Sequence, residues 1–188
     1  MNPKLLDALE DVMESPDIVL HHTKAHLKPS GEGAPFPMHQ DYHYFPYKNH
    51  SMVAVFIHLD ETSPVNGGLA IYPGSHKMGV LKDASNHPGF HYVDQDQFNI
   101  NNAEPVTAKK GDVVIFSYLL VHGSYVNQSE KVRRMLLVQV ASANDQPLLE
   151  MHKSPCGGMV LRGKNKLKSA NLNERHETQS DNDPKFLH

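Results

Sequence analysis

The sequence has one cysteine, no tryptophan, little net charge and no long apolar run among its 188 residues. With Cys156 alone, no intrachain disulfide can form, which fits a reducing compartment. No run approaches the roughly 20 apolar residues that a membrane-spanning helix needs, so no span is expected. The formal net charge of -3 shows no excess of basic residues, and nucleic acid is not expected as a partner.

Neither end of the chain shows a targeting signal. The N-terminus is amphipathic and acidic, unlike a signal peptide. The C-terminus, Lys185-Phe186-Leu187-His188, matches neither the ER-retention nor the peroxisomal signal. These features predict an intracellular, cytoplasmic protein. The length predicts a single domain over residues 1–162, with its core at about 18–162, followed by a polar C-terminal tail over 163–188.

The apolar spacing predicts one short helix and many strands. Residues 3–14 carry apolar side chains, including Val12, at helical spacing, and Pro16 ends that helix. Beyond it, short β-like runs alternate with clusters of Gly, Pro and Asn, which predicts a mainly β sandwich or jelly roll. The predicted strands are 18–27, 38–45, 51–59, 69–72, 103–108, 112–121, 134–141 and 159–162. Residues 76–102 are predicted to form a long polar loop on this scaffold.

One predicted strand carries a histidine and an aspartate two residues apart. In a strand, His39 and Asp41 point to the same face, whereas Gln40 points to the other. A third ligand is expected from His122, which follows the apolar run 113–121. Two imidazoles and one carboxylate on one face of an iron ion leave three positions open for a cosubstrate and dioxygen. These residues therefore predict a mononuclear non-haem iron(II) site.

A His-x-Asp pair alone is a weak signal in a sequence with 14 histidines. A second pair, His58-Leu59-Asp60, ends a β run just before a turn, and we interpret it as a polar strand end. The loop 76–91 is also rich in histidine, but it lacks an obvious fourth ligand for zinc. Only the surroundings of each pair can separate a metal site from an ordinary polar face.

Two adjacent arginines follow His122. A turn and a returning strand would bring Arg133 or Arg134 back beside the iron site, where it could pair bidentately with the C5 carboxylate of 2-oxoglutarate. Ser124 could donate a hydrogen bond to the same carboxylate. The charges of iron(II), Asp41, 2-oxoglutarate and one arginine sum to zero, which favours burial. On these grounds alone, both arginines could equally lie on a solvated strand.

Four motifs occur together and in a fixed order. They are His39-Gln40-Asp41 through Tyr47, Asn66-Gly67-Gly68-Leu69, Pro73-Gly74-Ser75-His76-Lys77, and His122-Gly123-Ser124 followed by Asn127, Ser129 and Arg133. Together they resemble the phytanoyl-CoA dioxygenase family of iron(II)/2-oxoglutarate oxygenases. The resemblance extends over about residues 27–143, which is most of the chain.

This resemblance has implications for both fold and site. It implies a double-stranded β-helix, a cupin-like jelly roll. It implies His39, Asp41 and His122 as the iron ligands, with no catalytic residue beyond them. It also implies Arg133 as the 2-oxoglutarate anchor and Ser124 as a second contact. A peroxisomal location stays open by resemblance, although no signal for it is present.

The implied activity is hydroxylation of an unactivated C–H bond in a small molecule or an acyl-CoA, with dioxygen consumed and succinate and CO2 released.

Two features depart from the family: a short segment before the first core strand, and Phe56 where relatives often have tryptophan. A second hypothesis is therefore a non-catalytic or truncated jelly roll that binds a ligand. A third is a metal enzyme that does not use 2-oxoglutarate. The sequence sets neither the substrate nor the oligomeric state.

Overall fold

The computed structural model describes residues 1–31, 33–149, 154 and 156–165. This part of the chain contains one α-helix, α1 (Pro3–Met13). The strands are β1 (Ile18–Lys28), β2 (Phe36–His39), β3 (Val53–His58), β4 (Leu69–Ile71), β5 (Glu104–Pro105), β6 (Val113–Ser117), β7 (His122–Ser124), β8 (Arg133–Ser142) and β9 (Val160–Arg162). Short 3-10 helices are Asp41–His43, Ser75–Met78 and Ile100–Asn102.

The strands form two antiparallel sheets. The five-stranded sheet has the order β6-β3-β8-β1-β9, and the four-stranded sheet has the order β2-β7-β4-β5. One apolar cluster joins side chains of both sheets, so it fills the space between them. Its buried members are Ala54, Phe56, Leu69, Phe116, Leu120, Met135 and Leu137. The prediction of a mainly β fold with a short N-terminal helix is confirmed.

Helix α1 covers the outer face of the five-stranded sheet. It begins after Asn2, whose side-chain oxygen accepts a hydrogen bond from the backbone N–H of Lys4 at 3.0 Å. Leu9 is fully buried against core residues of β1, β3 and β8. Val12 was predicted to belong to this apolar stripe, but it is 56% exposed, because it lies on the side of the helix that faces away from the sheet.

Three of the predicted strands are wrong in their extent, and the strand predicted over 103–108 is only β5, Glu104–Pro105. The strand predicted over 38–45 is β2, which ends at His39, and a 3-10 turn begins at Asp41. The strand predicted over 112–121 ends at Ser117, and a separate strand, β7, starts at His122 in the other sheet. The apolar residues 118–121 are buried in a turn that crosses between the sheets, so burial and not pairing explains their composition.

The long loop 76–102 is predicted correctly as irregular structure, but it is fixed to the four-stranded sheet. Val93 and Phe98 are buried against Met38 of β2, and the N–H of Val93 donates to the Met38 carbonyl at 3.0 Å. From residue 166 onward the predicted tail lies outside the described residues, and the domain bounds stay a prediction. No helix in the described ranges is long and apolar enough to cross a membrane.

Candidate metal centre

Adjacent strands bring two histidines together. β2 and β7 pair so that His39 lies directly opposite His122. Asp41 follows where the chain leaves β2, and its Oδ1 lies 3.4 Å from His39 Nε2 and 3.8 Å from His122 Nε2. One ligand atom from each of these three buried residues lies within 4.8 Å of the others. We call this group the metal end of the interior.

Hydrogen bonds fix how both imidazoles face the site. His39 Nδ1 donates to the Pro37 carbonyl at 2.9 Å, and His122 Nδ1 donates to the Leu120 carbonyl at 2.9 Å. A carbonyl can only accept, so the proton of each neutral ring is on Nδ1. The Nε2 lone pairs of His39 and His122 are therefore left to face Asp41 and each other.

Gln139 orients the carboxylate of Asp41. Its amide nitrogen donates to Asp41 Oδ2 at 2.6 Å, and Gln139 is only 1% exposed. Oδ2 is thereby occupied, and Oδ1 is the oxygen that lies near both histidines. Gln40, between the ligands, points away as expected: its amide bonds the carbonyls of Gly79 and Leu119 at 2.9 and 2.6 Å.

Burial sets the protonation states at the metal end. Burial, reinforced by His39, lowers the pKa of His122 to about 4, so this ring is neutral at neutral pH. Burial opposes ionisation of Asp41, but the nearby His122 and His39 outweigh it, and the pKa of Asp41 lies below its usual range. The ring centroids of Phe116 and Phe36 lie 4.8 and 4.6 Å from those of His122 and His39.

The two adjacent arginines point to opposite faces of β8. Arg133 is only 5% exposed, and its Nη2 donates to the Gly67 carbonyl at 2.8 Å. Arg134 is exposed and forms a bidentate pair with Asp60, at 2.9 and 2.7 Å. The interior arginine is therefore Arg133. Asp60 faces outward with its partner, and the second His-x-Asp pair does not form a metal cluster in the described chain.

Ser124 has a cationic partner that the sequence analysis missed. Its hydroxyl accepts a hydrogen bond from Lys28 Nζ at 2.7 Å, and the same nitrogen donates to the Tyr125 carbonyl at 2.6 Å. Lys28 lies directly opposite Arg133 across β1 and β8. Burial lowers the pKa of Lys28 to about 8, and Arg133 contributes to this shift. Two cations thus face the same part of the interior.

A sequence signal for Lys28 did exist. The turn Asn66-Gly67-Gly68 passes close to this lysine, and a Cβ on Gly67 would collide with the Lys28 side chain. Gly67 also has a φ of +80°, which favours glycine. The motif thus makes room for Lys28 and offers a carbonyl to Arg133, but only the strand register shows this.

Tyr44 also lies elsewhere than expected. Alternation along the strand predicted over 38–45 would point Tyr44 away from the face of His39, whereas its ring centroid is 6.2 Å from that of His39. The reason is the 3-10 turn that starts at Asp41, because strand alternation does not apply there. The Tyr44 hydroxyl accepts a hydrogen bond from the N–H of His91 at 2.9 Å. Tyr44 therefore links the metal end to the loop 76–102.

Most buried polar atoms without partners lie away from the metal ligands, with the exception of Gln139 Oε1, whose residue bonds Asp41. Within the described ranges, six buried side-chain nitrogen or oxygen atoms lack a hydrogen-bond partner. They belong to His26, His58, Thr62, Arg133 and Gln139. We call the region around His26, Lys28, His58 and Arg133 the anchor end. Orphaned buried donors are costly in a protein, and their concentration here is what a site for a polar ligand would produce.

The donor atoms fit a non-haem iron(II) site. Two neutral imidazoles and one monodentate carboxylate form the facial ligand set that leaves coordination positions open. The cations Lys28 and Arg133, with no carboxylate of the described chain bound to Arg133, fit an anionic cosubstrate. The chemistry of the residues is thus consistent with iron at one end and a carboxylate at the other.

Comparison with known proteins identifies the family of the chain. A family model described as phytanoyl-CoA dioxygenase (PhyH) matches residues 1–135. A probable alpha-ketoglutarate-dependent hypophosphite dioxygenase of Stutzerimonas stutzeri is 34% identical, over 79% of this chain and 58% of that protein. The peroxisomal phytanoyl-CoA dioxygenase of Bos taurus is 34% identical, over 76% of this chain and 44% of that protein. The chain thus spans about half the length of these relatives.

A solved structure shows the same architecture. The apo form of ThoJ, a non-heme monooxygenase, superposes with a TM-score of 0.72 at 21% identity, over 87% of this chain and 59% of that chain. At this identity the likeness concerns the fold. With the two antiparallel sheets, it confirms the predicted double-stranded β-helix.

Proposed function

The chain belongs to the phytanoyl-CoA dioxygenase family, and from that premise we propose that it is an iron(II)- and 2-oxoglutarate-dependent hydroxylase. It would use dioxygen to hydroxylate an unactivated C–H bond, releasing succinate and CO2. The observation that carries the proposal is the buried cluster of His39, Asp41 and His122, whose ligand atoms lie within 4.8 Å of one another.

At the metal end, the three ligand residues would hold the iron. Their orientation is set before any metal binds, because the Nδ1 protons of both histidines and the second oxygen of Asp41 are already engaged. Preorganised ligands avoid a reorganisation cost on binding. When bound, iron(II) would supply coordination for 2-oxoglutarate and activation of dioxygen.

At the anchor end, Arg133 would bind the distal carboxylate of 2-oxoglutarate. Its guanidinium is buried, stays charged, and uses Nη2 on the Gly67 carbonyl, so the remaining N–H groups can pair with an anion. Lys28 would add a second positive charge from the opposite strand, with Ser124 held beside it at 2.7 Å. Phe56 lies between the two ends, 6.4 Å from the His122 ring and 6.2 Å from the His26 ring, and would line the cosubstrate.

The proposed substrate is a small molecule or an acyl-CoA thioester. The names of the two relatives specify hypophosphite and phytanoyl-CoA, which differ greatly in size. The loop 76–102 borders the metal end through Tyr44 and His91, and we assign it the choice of substrate.

Anaerobic reconstitution with iron(II) and 2-oxoglutarate tests the proposal. Bidentate chelation gives a weak visible charge-transfer band, which we expect in the wild type and not in His122→Ala. Admission of air with candidate substrates, acyl-CoA thioesters among them, should then release succinate. A band without turnover would favour a ligand-binding module. A folded, iron-loaded protein without the band would refute 2-oxoglutarate as the cosubstrate.

A further inference from the structure

The interior face of the five-stranded sheet is ordered in rows across β3, β8 and β1. Directly opposite residues of antiparallel strands share a face. Met135 of β8 is opposite His58 on β3 and His26 on β1. Met135 belongs to the apolar cluster between the sheets, so both histidines point inward. Arg133, two residues along β8, is diagonal to each of them, which is within reach of a long side chain.

His58 is an anomaly as a structural residue. It is only 1% exposed, and neither of its ring nitrogens has a hydrogen-bond partner. A buried polar group without a partner destabilises the folded protein, and most native buried groups avoid this. A histidine retained for packing alone would be expected to bond a backbone carbonyl, as His43 does to the Leu81 carbonyl at 3.0 Å.

The hydrogen-bonding groups around His58 indicate which class of ligand it can bind. Arg133 Nε is also buried without a partner, and among the described residues the hydrogen bond of Arg133 Nη1 is to the sulfur of Met135, at 3.8 Å. On the other side of Met135, His26 has an unpartnered Nε2. Burial lowers the pKa of His58, and Arg133 lowers it further, so the ring is neutral and retains one N–H donor. An ionised carboxylate only accepts hydrogen bonds and therefore suits this set of donors.

We propose that His58 donates a hydrogen bond to the distal carboxylate of the 2-oxo dicarboxylate that Arg133 anchors. This inference rests on the proposed function and adds a specificity-determining contact to the cosubstrate site. The anchor then combines the charge of Arg133 with a neutral donor from β3. His26 faces the same space from β1 and completes the row.

The proposal predicts opposite effects on binding and on stability. His58→Leu fills a similar volume without polar atoms. In the ligand-free protein it removes an unsatisfied buried group, and the melting temperature should rise by about 2–4 °C. The same change should weaken 2-oxoglutarate binding by roughly tenfold or more, because a donor to a charged acceptor is lost. A role in packing alone would not weaken binding while raising stability.

The test compares two ligands on iron(II)-loaded protein without oxygen. Calorimetric titration gives the dissociation constants of 2-oxoglutarate and of 2-oxopentanoate, which has a methyl group in place of the distal carboxylate. We expect His58→Leu to weaken binding of the first and to leave the second unchanged. His58→Gln, which keeps a donor near the position of Nε2, should retain most of the affinity. His87→Leu, on the exposed loop, is the control and should behave as wild type.

The outcomes separate this inference from the function on which it rests. Wild-type protein that loads iron but binds no 2-oxoglutarate would contradict the proposed function. Wild-type binding with equal affinity in His58→Leu would contradict only the His58 contact. An equal loss for both ligands would also overturn it, since it would indicate a change in pocket shape. If His58→Leu does not fold, the more flexible His58→Met takes its place in the same comparison.

Discussion

The metal end and the anchor end draw their residues from opposite sheets, and they satisfy their polar atoms differently. At the metal end, both histidines bond backbone carbonyls and Asp41 bonds Gln139. At the anchor end, both ring nitrogens of His58 and the Nε of Arg133 are buried without partners. The three metal-ligand residues have their partners within the protein, and the unpartnered atom beside them is Gln139 Oε1, whereas the anchor end holds four such atoms among the described residues.

This difference has a consequence for energetics. Interactions that the protein makes with itself stabilise the fold whether or not a metal binds, and they hold the ligand atoms in place. Unpartnered buried groups lower the stability of the ligand-free protein. This loss of stability is recovered when a ligand forms hydrogen bonds with them. Substitutions at the two ends should therefore affect stability with opposite signs.

The largest expected effect is at Asp41. Asp41→Ala removes the only carboxylate of the cluster and should weaken iron(II) binding by more than about 100-fold, since outer contacts alone contribute roughly 10- to 100-fold. Metal titration with an optical competitor measures this. The matched control is Asp60→Ala, the aspartate of the other His-x-Asp pair, which bonds Arg134 on the surface. Equal metal affinity in Asp41→Ala and wild type would remove Asp41 from the site.

A second substitution separates the two ends. Arg133→Met should weaken 2-oxoglutarate binding by about 100-fold or more, because charge-assisted hydrogen bonds contribute about 1.5–3 kcal/mol each. Iron(II) affinity should not change, since Arg133 contacts none of the ligand residues in the described structure. Arg134→Met, on the opposite face of the same strand, is the control. A joint loss of metal and 2-oxoglutarate would show that the two ends are not independent.

Gln139 tests the positioning of the carboxylate. Gln139→Leu leaves Asp41 Oδ2 buried without its 2.6 Å partner. We expect iron(II) binding to weaken by roughly 10- to 100-fold and the melting temperature of the metal-free protein to fall. The exposed Gln146→Leu should change neither quantity. If Gln139→Leu instead raised the melting temperature, as predicted for His58→Leu, substitutions at the two ends would not differ in their effect on stability.

The sequence predicted the metal end better than the anchor end, for a physical reason. His39 and Asp41 are two residues apart, so they stay close in space even though Asp41 lies in the 3-10 turn after β2 and not in the strand. His122 was expected from its place after the apolar run 113–121, although the strand predicted there ends at Ser117 and a buried turn leads to His122. Lys28 is brought to Arg133 by strand pairing across more than a hundred residues, and no local pattern encodes that register.

The same limit applies to His58. Its position after an apolar run and before a turn indicates the end of a strand, and the sequence analysis interpreted it in that way. Its function depends on the absence of a hydrogen-bond partner, which only the packed interior can show. Tyr44 shows a different error. Strand alternation was extended along a strand predicted to residue 45, whereas the backbone already turns after His39.

The smallest expected effect is a pH dependence from Lys28. Burial and the nearby Arg133 lower its pKa to about 8 from 10.5, so the free protein loses this charge as the pH rises through 8. 2-Oxoglutarate affinity should be flat below that pH and fall above it, by at most about tenfold per pH unit. Between pH 8 and 10.5 the unfolded chain binds more protons, so the free energy of unfolding should rise over the same range.

Lys28→Met provides the comparison for both trends. Its affinity for 2-oxoglutarate should resemble that of wild type at high pH and should not vary through pH 8. Calorimetric titrations of the iron(II)-loaded protein at several pH values, together with denaturant unfolding of the metal-free protein, measure the two trends. Affinity that falls with pH equally in wild type and Lys28→Met would assign the titration to another group. The anchor end would then carry one functional cation, Arg133, and its unpartnered histidines would contribute a larger share of the binding.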